Sequence, residues 1–79
     1  MTQTIAKATF RHNVVFQERT VELRYDSAAG SRPYTLYAIS PENRTQISTW
    51  ADEEVAKRAF FEAFDHYTDN NYSVVKDEA

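Results

Sequence analysis

His66 stands beside Asp65 and one helical turn beyond Glu62, and this trio is the closest the chain comes to a metal or acid–base motif. Spacing alone does not make it a site. A metal needs ligands that converge, and an acid–base pair needs a cleft that separates two pKa values. We read His66 as a rim residue near a helix end and His12 as a cross-strand neighbour. Composition removes most other chemistry. With no cysteine there is no thiolate ligand and no disulfide, and a single glycine leaves no glycine-rich loop to cradle phosphate. Ser27, Ser31, Ser40, Ser48 and Ser73 lie in turns or strand ends, without the sharp elbow that presents a serine nucleophile. Asp52, Glu53 and Glu54 spread over a helix start instead of converging. The expectation is a protein that is not an enzyme and uses no cofactor and no metal.

Recognition chemistry is better represented. The chain carries five Phe, five Tyr and one Trp, and aromatics exposed among charges concentrate at interfaces. On a helical wheel Trp50, Lys57 and Phe61 share a side, flanked by Glu54, Arg58 and Asp65. Trp50, Glu54, Phe61 and Asp65 are therefore the candidate partner-binding residues. The alternative is structural: Trp50 folds under the helix start, and Phe61 packs against Tyr72–Val75. A second candidate surface comes from Arg24, on the polar side of its strand, with Arg19, Arg32 and Arg44 near strand ends or turns. Those arginines could touch phosphates, although dispersed arginines usually form a solvated surface.

The element that positions the first group spans Ser48–Asn71. Ser48 or Thr49 can cap its start, since a hydroxyl accepts from unpaired first-turn amides. Asp52, Glu53 and Glu54 suit the positive end of the helix dipole, and Asn70 and Asn71 suit its end, where a left-handed residue is common. At about 100° per residue, Val55, Ala56, Ala59, Phe60, Ala63, Phe64 and Tyr67 form one apolar stripe. The first half alternates with a period of two. Val21, Leu23 and Tyr25 oppose Thr20, Glu22, Arg24 and Asp26, while Phe10, His12, Val14 and Phe16 oppose Arg11, Asn13, Val15 and Gln17. Residues 4–16 read as one strand, or two broken near His12–Asn13. Asp26–Arg32, with the single glycine, is a turn. Pro33–Ser40 is a strand antiparallel to Val21–Tyr25, and Ser40–Asn43 is a proline turn. Thr45–Ser48 and Tyr72–Lys76 complete the strands, and Asp77–Ala79 should fray. The predicted fold class is α+β: an antiparallel β meander with one amphipathic helix packed on one face and a short C-terminal strand.

Seventy-nine residues leave room for one domain, 1–79. The net charge of −3 is unevenly divided. Residues 1–47 carry Lys7, Arg11, Arg19, Arg24, Arg32 and Arg44 against Glu18, Glu22, Asp26 and Glu42, a net of +2. Residues 48–79 carry Lys57, Arg58 and Lys76 against Asp52, Glu53, Glu54, Glu62, Asp65, Asp69, Asp77 and Glu78, a net of −5. An acidic half suits protein recognition better than nucleic-acid binding, which calls for a dominant basic surface. No apolar run is long enough to span a membrane, and MTQTIAKATF lacks a signal-peptide core, so a cytoplasmic location is expected.

Thr35–Tyr72 resembles the closing part of a WGR domain, in which a basic hairpin leads through a turn into a helix like DEEVAKRAFFEAFDHYTDNNY. That resemblance implies a sheet-plus-helix module associated with DNA binding. Tyr37-Ala38-Ile39-Ser40 stands where the Trp-Gly-Arg motif belongs, so DNA binding does not carry over with it. In overall character, small, cysteine-free and with an acidic helix, the chain is similar to phage-type inhibitors such as anti-CRISPR proteins. This implies a stand-alone inhibitor that occludes a basic nucleic-acid-binding surface of a larger host complex. The leading expectation is a protein partner with a basic surface. The alternatives are a nucleic-acid-binding module using the Arg-bearing sheet, and a subunit that pairs through an exposed strand edge.

Overall fold

The computed structural model describes residues 2–78. Five strands and one helix follow in the order β1 (Thr2–His12), β2 (Glu18–Asp26), β3 (Tyr34–Ile39), β4 (Arg44–Trp50), α1 (Glu53–Asp69) and β5 (Tyr72–Asp77). The sheet is antiparallel throughout, ordered β4-β3-β2-β1-β5. The first four strands form a meander joined by tight connections. The chain then crosses one face as α1 and returns to pair with β1, so the α+β expectation holds, C-terminal strand included.

The turns follow their residue types. Gly30, at φ 75°, supplies the left-handed residue of the β2–β3 connection. There Asp26 Oδ1 accepts from the Ala28 amide at 3.0 Å, and the Asp26 amide donates to the Pro33 carbonyl at 2.8 Å. Around Pro41 the Ser40 amide donates to the Asn43 carbonyl at 2.8 Å and closes the β3–β4 turn.

The core lies between α1 and the sheet, and consists of Ala6, Ala8, Phe10, Val21, Leu23, Leu36, Ala56 and Phe60. Its small members are placed usefully: Ala6 and Ala8 on β1 and Ala56 on α1 let the helix backbone approach the strands, while Phe10 and Phe60 fill the remaining volume. Ala59, Ala63, Phe64 and Tyr67 pack half-buried around it. The Phe10 ring meets Phe64 edge-on at 5.0 Å and stacks on Tyr67 at 5.1 Å. Such pairs add to the area they bury.

Five expectations need correction. The helix starts later than expected, because β4 keeps pairing with β3 through Tyr34 opposite Trp50. Asp52, not Ser48 or Thr49, is the cap: its Oδ1 accepts from the amides of Glu54 at 2.8 Å and Val55 at 3.4 Å. Val55 lies at the margin of the apolar stripe and is 38% exposed. The β1 alternation stops at His12, so Val14 and Phe16 stand in solvent instead of joining Phe10 inside. Finally, the tail does not fray at Asp77, which belongs to β5, and the Glu78 amide donates to the Lys7 carbonyl at 2.7 Å. Ala79 lies outside the described residues. The helix end is as read: Asn71 adopts φ 70°, and the Asn70 amide donates to the Tyr67 carbonyl.

Candidate functional site

Two outward faces remain once the core is formed, and register assigns side chains to each. The uncovered sheet face gathers Thr4, Lys7, Thr9 and Arg11 from β1 with Glu18, Thr20, Glu22 and Arg24 from β2. Tyr37, Arg44 and Lys76 join them from β3, β4 and β5. This face is basic in count but largely neutralised in place. Glu22, only 7% exposed, sits near its middle and accepts from the Thr4 hydroxyl at 2.7 Å. Arg24 Nε lies 3.7 Å from the same carboxylate, an ion pair without a hydrogen bond. Arg11 pairs with Glu18 at 3.4 Å and Lys76 with Glu78 at 2.9 Å. The Arg44 guanidinium lies over the Tyr37 ring at 4.6 Å, a cation–aromatic contact that occupies both groups. The Lys76–Glu78 bond holds the amine above and the carboxyl below their ordinary pKa values.

The outer face of α1 is different. Glu54, Arg58, Phe61 and Asp65 follow one another at helical spacing and are all exposed. Glu53 is paired with Lys57 at 3.5 Å. Among the described residues, Glu54, Glu62 and Asp65 have no cation within ion-pair distance. Phe61 stands between them, 51% exposed, with its ring set edge-on to buried Phe60 at 5.4 Å. One side of the ring is thus braced by the core and the other is open.

Trp50 does not belong to this face. It ends β4 opposite Tyr34 and packs half-buried against the core, with its indole Nε1 donating to Ser48 Oγ at 2.8 Å. The wheel had placed it with Phe61 by continuing helical geometry into a strand. Three of the four candidate residues therefore come together, and the fourth packs against the core at the end of β4. Nearby, Tyr34 OH reaches Glu53 Oε1 at 3.5 Å, and burial followed by that carboxylate raises the Tyr34 pKa.

One exposed group escaped the sequence reading. The loop between β1 and β2 holds Val14, Val15 and Phe16 outward, with Phe16 fully exposed. The loop is tied down on all sides. His12 Nδ1 accepts from the Val14 and Val15 amides, both at 3.1 Å. The His12 amide donates to the Gln17 carbonyl, and the Asn13 amide donates to the Asn71 carbonyl, both at 2.9 Å. The Tyr72 hydroxyl donates to Gln17 Oε1 at 3.2 Å. Two adjacent valines after Asn13 break the period of two, which was the signal available in sequence. A hollow of about 260 Å³ lined by Arg11, Phe16, Gln17, Glu18 and Pro41 lies beside this loop.

His66 is not drawn into a site with Glu62 and Asp65. Its ring lies edge-on to Tyr67 at 5.8 Å and near Asn70 Nδ2. Among the described residues, no three His, Asp or Glu side chains are grouped to hold a metal, and no helix is long and apolar enough to cross a membrane. What the fold and these faces define is a small α+β domain with an acidic, aromatic-centred helix face opposite a sheet face of internally paired charge. No family model, curated protein or solved structure matches the chain.

Proposed function

We propose that the protein is a non-enzymatic recognition module that docks the outer face of α1 on a basic surface of a protein partner. The observation that supports this is Phe61, 51% exposed and braced by Phe60, beside Glu54, Glu62 and Asp65, which have no ion-pair partner among the described residues. A braced aromatic loses little side-chain freedom on binding, which favours it as an anchor. Carboxylates free of internal cations keep their field for a partner, and such charges act mainly on association rate. In its narrower form the partner's basic surface is one that binds nucleic acid, and the module blocks it in the cytoplasm as phage-type inhibitors do.

Parallel affinity capture from the native host tests this reading, using the parent chain, Phe61→Ala, and Glu54→Lys with Asp65→Lys. A protein retained by the parent and lost by both variants is the expected result. Capture that is indifferent to both removes α1 from the interface. A second reading, nucleic-acid contact by the open sheet face, draws on Lys7, Arg11, Arg24, Arg44 and Lys76 lying there together. Their internal pairing weakens it. Binding of duplex or single-stranded DNA or RNA at low salt, falling steeply as salt is added, would favour it over the first.

A further inference from the structure

We propose that a hollow beyond the end of the core, between the start of β2, the β3–β4 turn and the end of α1, binds the phosphate group of a small phosphate monoester. It is independent of the outer face of α1, since none of Glu54, Phe61 and Asp65 lines it. The hollow measures about 200 Å³, smaller than the roughly 300 Å³ at which pockets begin to hold a whole drug-sized ligand. It therefore suits one functional group of a ligand. Arg19, Ser40, Asn43, Thr45 and Tyr67 form its polar wall, and no acidic side chain lines it.

The central group is Arg19. In β2 it keeps the inward phase of Val21 and Leu23 and lies opposite Phe10 on β1, so it belongs to the helix side of the sheet and not to the open face. It is half-buried, yet among the described residues no carboxylate lies within ion-pair distance of it. Burying even part of a charge without a counter-ion costs free energy, which a bound anion would offset. Arg19 Nη1 donates to the Glu18 carbonyl at 2.8 Å. That bond steadies the side chain and uses one of the five N–H donors of a guanidinium.

The neighbours add donors in fixed positions, and they are side chains, as a chain with one glycine requires. Asn43 is held through its backbone: its amide donates to Ser40 Oγ at 3.3 Å, and its carbonyl accepts from the Ser40 amide at 2.8 Å. The Thr45 hydroxyl donates to Asn43 Oδ1 at 3.4 Å, which orients the carboxamide and leaves its NH2 for a ligand. Tyr67 is braced by stacking on Phe10 and by the edge of Tyr72. Burial, then Tyr72, raises its pKa against the opposing pull of Arg19. The phenol thus stays a donor, and the guanidinium lies near enough to act on it. Three donor groups from three elements match the three terminal oxygens of a phosphate monoester, whereas a carboxylate has two.

Titration of the full chain with inorganic phosphate, phenyl phosphate, dimethyl phosphate and acetate at constant ionic strength, followed by proton–nitrogen correlation NMR, tests the proposal. Inorganic phosphate and phenyl phosphate should give saturable shifts at Arg19 Nε and Asn43 Nδ2. Acetate and the singly charged diester should bind at least about tenfold more weakly. Arg19→Gln should weaken phenyl phosphate by at least about tenfold, the loss expected of hydrogen bonds to a charged group. Asn43→Ala, in an exposed turn outside the strands, should weaken it severalfold with the fold intact. Arg11→Gln, on the open face, should leave binding unchanged. Shifts that never saturate, equal affinity for acetate or dimethyl phosphate, saturable shifts confined to Lys7, Arg24 and Arg44, or binding unaltered by Arg19→Gln or Asn43→Ala would each overturn it.

Discussion

The open sheet face and the outer face of α1 both carry many charges, yet they use them in opposite ways. On the sheet, Glu22 is buried among Thr4 and Arg24, Arg11 has Glu18, and Arg44 lies over Tyr37. On the helix, Glu54, Glu62 and Asp65 have no cation within ion-pair distance among the described residues, and they surround a half-exposed Phe61. The difference lies in strand geometry. The ladder holds Arg11 opposite Glu18, and the period of two sets Glu22 and Arg24 on one face of β2, so opposite charges placed there pair at little entropic cost. On a lone surface helix, long side chains must be ordered to pair, and exposed ion pairs gain little. Charge on the sheet is thus part of the structure, whereas charge on the helix remains available to a partner.

The comparison breaks most readily at the two adjacent phenylalanines. Phe60→Ala empties a fully buried site and should cost about 3–5 kcal/mol in chemical denaturation, most of the stability of so small a domain. Phe61→Ala should cost only about 1 kcal/mol, because half of the ring is already in water. Equal losses would mean that Phe61 is a core residue and that the helix has no working face.

Next in size is the sheet. Glu22→Ala strips Thr4 of its acceptor and Arg24 of its counter-ion and should destabilise by about 1–3 kcal/mol. Glu54→Lys, on the helix, should cost only about 0.5 kcal/mol, from its unfavourable place at the positive helix end. Similar costs would erase the distinction between structural and available charge.

The smallest effect is expected at alkaline pH. Burial, followed by the neighbouring Tyr72, raises the Tyr67 pKa. A raised folded-state value means that the contribution is complete below the ordinary phenol range and is lost as pH climbs past about 10. Thermal melting from neutral to strongly alkaline pH should show a decline that Tyr67→Phe reduces. An identical decline in the variant would leave Tyr67 without a part in it.

How much of this was legible in the sequence follows from how local each signal is. The α1 stripe, the Gly30 turn and the Val21–Leu23 alternation depend on neighbours in sequence, and all three appear in the fold. Trp50 was misplaced because nothing local distinguishes the end of β4 from the start of α1. The boundary is set by Tyr34, sixteen residues earlier, pairing across the ladder. Glu22 looked like a solvated strand residue, and its burial depends on Thr4 and Arg24 meeting it from both sides. Val14 and Phe16 kept the inward phase of Phe10, but His12 gathers the next two amides and turns the chain away. Phe61 and Asp65 were readable because a helix face is periodic, whereas their lack of cations depends on side-chain placement that only the structure gives.

The claim that the two faces differ in availability is tested most directly by quantitative capture from the native host with two variants side by side. One is Phe61→Ala on the helix; the other is Lys7→Ala with Arg44→Ala on the sheet. Both must first be shown folded by circular dichroism. The account predicts that the captured protein disappears with Phe61→Ala and persists at parental yield with the sheet variant. Loss with the sheet variant and retention with Phe61→Ala would contradict it.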